Sequence, residues 1–406
     1  MTALSNYFKL LDGLPIKTRS GSPTNLWADP ENHAKIAGDL PVHDASITDN
    51  RSIWYDEPNM MHRATLDDVA ALAGVSIKTV SRVVNREPNV REATQQKVNE
   101  AIAELNYKPN PSARNLASQR SHLIALVYDD PSAYELPSAG YIINMQEGAL
   151  RACKGANYDL LIHPCNYRDR HVGDELRSLI EHARPDGLIL AAPLSNMPRI
   201  VDAIEETGTP LVKLSPGKGR DLRFSISTND EEVSAEMTCY LASLGHRRIA
   251  FVTGHPSHKA VANRYSGYKG GLRKSGIQYS ESLVVKGDNS LGSGERAAEK
   301  LLQGINPPTA IFAANDDMAV GVLRAAERLG ISVPQQLSVA GFDDIALARQ
   351  VHPALTTVSQ PLVKMTERAA MMLIDGSRSD REASELEVIP AQIKVRESTG
   401  KPHPDA

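Results

Sequence analysis

The chain has 406 residues, 41% of them hydrophobic, with 45 Lys and Arg against 49 Asp and Glu and a formal net charge of −4. That length and apolar content suit two or three domains with their own cores and exclude a wholly disordered polypeptide. No apolar run approaches the roughly 20 residues that span a bilayer, and no basic segment followed by an apolar stretch opens the chain, so a cytoplasmic protein without a membrane partner is expected.

Residues 1–62, rich in Pro, Asp, Asn, Ser and Gly and without sustained periodicity, read as a disordered extension. Met60 and Met61 stand immediately before the first well-formed element, which points to translation starting there.

The next segment, 63–110, reads as a three-helix DNA-binding head. Thr65 is placed to cap a helix whose first turn carries Asp67 and Asp68, where carboxylates favour the positive end of the dipole. Leu66, Val69, Ala70 and Ala73 recur at helical spacing, as do Val80, Val83 and Val84 after the turn Ala73-Gly74-Val75-Ser76. Two short helices each with one apolar stripe, joined by a glycine turn, form a helix-turn-helix, whose second helix leaves Ile77, Lys78, Ser81 and Arg82 outward. Arg91 to Leu105 gives a third helix with Val98, Ile102 and Leu105 on one face. Residues 61–121 hold nine Lys and Arg against six Asp and Glu, so the acidic total hides a basic module suited to a phosphate backbone.

Two prolines, Pro109 and Pro111, break the third helix, and residues 111–121 follow as a short hinge helix and linker, too short to be stable alone. From Ser121 the pattern becomes buried strands alternating with amphipathic helices: HLIALVY, YDLLIHP, DGLILAA, PLVKLS, RRIAFVTG, PTAIFAA and LSVAGFDD. The expected fold is therefore α/β: an all-α head and hinge, then a core over 122–400 of two parallel-sheet subdomains facing each other across a cleft, and a tail at 401–406. Arg223–Ile226 and Leu355–Val358 read as interdomain strands, placing one subdomain at about 122–223 plus 357–386 and the other at about 224–356 plus 387–400.

Chemistry-bearing motifs are few. Cys153, Cys165 and Cys239 have neither CxxC nor Cys/His ligand spacing and read as buried thiols, and His246, His255 and His258 read as solvated loop histidines. No metal site or cofactor is expected. No GxSxG elbow, GxxxxGK[ST] phosphate loop or HExxH motif appears, so an enzyme is not expected, and a transport receptor would need a secretion signal and no DNA head.

From Thr65 to about Gly400 the chain resembles the LacI/GalR family of bacterial transcription repressors, the head being most like its lactose-repressor branch. The resemblance rests on TLDDVAALAGVSIKTVSRVVN and VNEAIAELNYKPNPSARNLAS in the head. In the core it rests on RYSGY at 264–268, PTAIFAANDDMAVG ending at Gly321, and SVAGFDDIALA followed by PALTTVSQP. It implies a homodimer on double-stranded, pseudo-palindromic operator DNA, with Ile77, Lys78 and Arg82 reading base edges in the major groove. Lys78 and Arg82 can donate to guanine, and Ile77 can meet a thymine methyl. Thr65, Ser76, Thr79, Ser81, Asn85, Asn89, Tyr107 and Asn110 would hold phosphates. Leu116, flanked by Ala113 and Arg114, would wedge open a central base step from the minor groove.

The same resemblance implies a core like periplasmic sugar-binding proteins, with Arg264, Asp343 and Asn315 hydrogen-bonding a small-molecule effector. Their chemistry suits a polyol, since Asp accepts from paired hydroxyls, Arg donates in a fork and Asn does both. Asp129 and Tyr141, after the first strand, are further candidates by position. Asn289 stands where the family often has an aromatic ring, which argues for a hydroxyl-rich ligand over a purine held between rings. The expected function is repression of carbohydrate genes relieved by a sugar. A purine-type corepressor remains the alternative, with a sugar receptor or enzyme well behind. No sustained leucine heptads follow the core, so a dimer is expected and not a tetramer.

Overall fold

A computed structural model describes residues 64–84, 88, 90–108, 120–130, 139–217, 222, 224–376 and 386–403. The 1–62 extension, the hinge residues Ala113, Arg114 and Leu116, and Asn85, Asn89 and Asn110 lie outside the described residues. The chain separates into two compact units, a head ending at Tyr107 and a core beginning at Lys108.

In the head, α1 (Leu66–Ala73) opens with a reciprocal capping box. Asp68 N donates to Thr65 Oγ1 at 3.3 Å and Thr65 N donates to Asp68 Oδ2 at 2.8 Å, so two otherwise orphaned helix-end donors are satisfied. Gly74 ends the helix at φ +64°, a conformation that a Cβ would strain. Ser76 Oγ then accepts from Thr79 N at 3.2 Å and starts α2 (Ile77–Val84). With α3 (Glu92–Glu104), these helices enclose Val69, Ala70, Val80, Val98, Ala101 and Tyr107.

The core holds two six-stranded sheets. The first contains β1 (Leu123–Asp129), β2 (Asp159–Cys165), β3 (Gly187–Leu190), β4 (Leu211–Leu214), β5 (Ser225–Ser227) and β11 (Glu387–Val388), in the order β11-β5-β4-β3-β1-β2 and parallel throughout. The helices α4 (Gly140–Gly155), α5 (Val172–Ala183) and α6 (Pro198–Glu205) belong to its crossovers. The second contains β6 (Ile249–Thr253), β7 (Val284–Lys286), β8 (Ala310–Ala313), β9 (Ser338–Asp343), β10 (Thr356–Ser359) and β12 (Gln392–Lys394), in the order β12-β10-β9-β8-β6-β7. Only β12 runs antiparallel, against β10. Helices α7 (Asp230–Ser243), α8 (Lys259–Lys274), α9 (Leu291–Leu302), α10 (Asp316–Arg328) and α11 (Ala346–Gln350) accompany this sheet. The last helix, α12 (Leu362–Ile374), returns to bury Leu362, Met365, Ala369 and Leu373 with Ile124, Leu126 and Met145 of the first subdomain.

Three crossings thus connect the subdomains, and each falls later than the hydrophobic pattern suggests. Ser225–Ser227 pairs with β4 in the first sheet instead of beginning the second subdomain. Thr356–Ser359 pairs with β9 in the second sheet, and Glu387–Val388 joins β5 in the first. The crossings lie at about 228–229, 360–361 and 389–391. An apolar strand reads the same whichever sheet it enters, so periodicity locates the strand but not its sheet. Asn229 Oδ1 accepts from Ala391 N at 2.8 Å and ties the first crossing to the third.

Candidate ligand cleft and DNA-reading helix

The core cleft is a cavity of about 770 Å³ at the C-terminal ends of the strands, where parallel α/β sheets place ligands. Arg264, Asp343, Asn315, Asn289, Asp129 and Tyr141 all line it.

Arg264 is carried by α8, which lies unusually close to α7. A Cβ on Gly267 would stand 2.2 Å from Glu231 O, and one on Gly271 would stand 2.7 Å from Ala235 O. The glycines of RYSGYKGG therefore let the two helices touch backbone to backbone and bring Arg264 against Asp230 at the start of α7. Arg264 Nε donates to Asp230 Oδ1 at 2.8 Å, Nη1 to Ala314 O at 2.6 Å and Nη2 to Gln360 Oε1 at 3.4 Å. Its guanidinium carbon lies 3.6 Å from the centroid of the Phe342 ring. Burial opposes its charge, but Asp230 and Asp343 outweigh that and raise its pKa. Arg264 is thus a charged, immobilised fork and not a surface arginine.

Asp343 ends β9 at φ 113°, outside ordinary strand geometry. Its Oδ1 lies 3.5 Å from Arg264 Nη1 yet makes no hydrogen bond among the described residues. The carboxyl is raised to about 7 by burial first of all, against the pull of Arg264 and with the push of Asp317 and Asp230. Tyr141 is enclosed nearby, its hydroxyl raised by burial and by Asp343. Behind Asp343, Asp316 accepts from Thr357 Oγ1 at 2.5 Å and from Ile345 N at 3.0 Å, and burial followed by Asp343 holds it well above the usual carboxylate range.

The two asparagines serve the cleft's frame. Asn315 caps α10 by accepting from Met318 N at 3.0 Å, and its Nδ2 donates to Asn289 O at 2.9 Å. Asn289, at φ 74°, accepts from His255 N at 3.1 Å. Asp129 accepts from Tyr167 N at 3.4 Å.

The histidines depart from expectation. His246 is 1% exposed and bonded to Thr309, Ser338 and Gly400, while His255 and His258 line the cavity half-buried. Burial, then Arg264 and His255, lower His258 to about 4, so it is neutral at ordinary pH. Sequence reading missed Asp230, Asp316 and Gln360, and took His258 for a solvated loop residue. The only advance signal was that Asp230, Asp316 and His258 stand at strand-to-helix junctions.

In the head, Ile77 and Lys78 stand exposed in the first turn of α2, Ile77 at 47% exposure. Arg82 Nη2 donates to Pro88 O at 3.2 Å, and Ser76 Oγ lies 2.9 Å from Thr79 Oγ1. Thr65 is occupied by its capping box, and Ser81 is half-buried. Tyr107 is 8% exposed, so its ring serves the head core.

A helix-turn-helix head followed in the chain by a two-subdomain ligand cleft defines a ligand-responsive class of DNA-binding protein. Residues 65–110 match the family model "Bacterial regulatory proteins, lacI family", and 238–399 match "Periplasmic binding protein-like domain". The HTH-type transcriptional repressor PurR of Erwinia tasmaniensis is 34% identical over 84% of this chain and 99% of its own length. Among solved structures, the transcriptional regulator CelR in complex with cellobiose is 30% identical, with TM-score 0.63 over 83% of this chain and all of its own. A lac repressor dimer bound to operator and the anti-inducer ONPF is 27% identical, with TM-score 0.67 over 83% of this chain and 99% of its own. The chain belongs to the lacI family and is a DNA-binding transcriptional regulator. Among the described residues no helix is long and apolar enough to cross a membrane.

Proposed function

We propose that this regulator represses carbohydrate-utilisation genes, acting in the cytoplasm as a homodimer on a pseudo-palindromic operator that it leaves when a sugar closes the cleft. The observation that carries the reading is the Arg264–Asp343 pair. A buried, fixed fork of donors adjoins a carboxylate oxygen, Asp343 Oδ1, that accepts no hydrogen bond among the described residues. Ser215 Oγ, also cavity-lining and buried, likewise lacks a partner among the described residues. Buried polar groups of this kind are satisfied by a ligand rich in hydroxyls. The cellobiose complex of CelR supports the ligand class, and the operator-bound lac repressor dimer supports the DNA-bound form.

In the head, Ile77 and Lys78 read base edges directly, and Arg82 joins them by leaving Pro88 O. Thr65, Ser76, Thr79 and Ser81 contact phosphates through hydroxyls, and Leu116 supplies the minor-groove wedge. Linkage requires an inducer to bind the DNA-incompetent state more tightly, with about 1.4 kcal/mol for each tenfold preference.

One observation favours a second reading, a purine-type corepressor. Tyr128, Tyr141 and Tyr167 line the cavity and offer rings that Asn289 does not, and PurR is a relative. Thermal-shift screening of the full chain against mono- and disaccharides and purines separates the two, since ligand at 100 times its Kd stabilises by about 2.7 kcal/mol. Operator binding then gives the sign. A stabilising sugar that weakens DNA binding supports induction, and a purine that tightens it overturns that in favour of corepression.

A further inference from the structure

We propose that His163, Cys165 and Glu175, none of which lines the ligand cleft, form a site for one divalent transition-metal ion of the zinc class on the edge strand of the first sheet. His163 and Cys165 are two positions apart on β2 and so project to the same face. The connection 166–171 brings the first turn of α5 back over that face and sets Glu175 above both. His163 Nε2 lies 2.8 Å from Glu175 Oε1, and Cys165 Sγ lies 3.7 Å from the same oxygen. The three ligand atoms are all within 4.8 Å of one another, so side-chain shifts of the order of 1 Å bring them to the roughly 3.3–3.8 Å between ligands of a tetrahedral ion with bonds of about 2.0–2.3 Å.

The donor set is specific in kind. Imidazole, thiolate and carboxylate together suit zinc and its neighbours rather than calcium or magnesium, which take oxygen alone. A thiolate and a carboxylate neutralise a dication, so the loaded site carries no net charge where Cys165 is 2% exposed. Asp129 and Asp130 lie near enough to act on the thiol and add negative charge that draws a cation in. His163 and Glu175 keep side-chain exposures of 24% and 43%, leaving an entry path and room for a water as fourth ligand. On binding, the thiol S–H bond breaks, its proton leaves to solvent and an S–metal bond forms, with no change of oxidation state.

The simpler alternative is an ion pair of His163 with Glu175 beside a bystander thiol, and cobalt(II) titration of the reduced, full-length protein distinguishes the two. Wild type should take up one cobalt per chain with a near-ultraviolet thiolate-to-metal absorption, displaced by equimolar zinc. Cys165→Ser should abolish that band, Cys153→Ser and Cys239→Ser should keep it, and His163→Ala should weaken uptake by ~10-fold or more. His163 is partly exposed, so that variant should fold even if a change at the buried Cys165 does not. Absence of the band in wild type, its survival in Cys165→Ser, or undiminished affinity in folded His163→Ala would each overturn the site.

Discussion

At the scale of the residue, the cleft depends on a small set of buried charges. Removing one partner of a buried ion pair leaves the other uncompensated, which typically costs about 3–5 kcal/mol. Arg264→Ala strands Asp230 and should lower urea-unfolding stability by about that amount while abolishing ligand-induced stabilisation. The raised carboxyl of Asp343 makes a different prediction. Its folded pKa of about 7 lies above the unfolded carboxylate value of about 3.9, so its stabilising effect is complete below about pH 4 and lost as pH rises to about 7. Asp343→Asn should remove that slope, gaining on wild type by something of the order of 4 kcal/mol across the window, as denaturation at several pH values will show. A ligand whose hydroxyls donate to the ionised carboxylate should bind more tightly as pH rises through 7, and an affinity flat across that range would contradict the contact. That Arg264 and Asp343 would share one cavity was legible in the sequence because their motifs match a known family. Asp230 and Gln360 were not, because they meet Arg264 from 34 and 96 positions away, a distance no local pattern spans.

At the scale of the element, the helices were the most legible part and the short strands the least. Leu66–Ala73 and Ile77–Val84 carry cap, stripe and glycine turn in consecutive letters. Val284–Lys286, Glu387–Val388 and Gln392–Lys394 have only two or three residues each, too few to show a period. Close helix packing gives a sharp test. Gly267→Ala pushes a methyl into the backbone of α7 and should cost about 1–3 kcal/mol, measured by thermal or urea unfolding of the core. In the head, Thr65→Ala removes the side-chain half of the capping box, keeping the backbone N–H of that position on Asp68, and should cost about 1 kcal/mol. Lys78→Ala should weaken specific operator binding by about 1–3 kcal/mol and change nonspecific binding much less. Equal losses on specific and random DNA would make Lys78 a phosphate contact instead.

At the scale of the whole molecule, two units and their order were legible from composition and charge, since a basic helical segment gives way to alternating strands. Which strand belongs to which sheet was not. The three crossings have a consequence for synthesis. Both subdomains are split in sequence: in the first, β1 to β5 are made early but α12 and β11 come from residues 362–388, and in the second β6 to β10 await β12 at 392–394. While the ribosome makes residues 229–361, Met145, Ile124 and Leu126 await the helix that covers them. Domains that cannot close until late in translation expose apolar surface longer. A chain stopped after Ser359, which lacks α12, β11 and β12, should therefore bind hydrophobic dyes and chaperones, and the full chain should not. The order in which this regulator becomes competent is then head first, and only with its last residues the two subdomains and the cleft between their sheets.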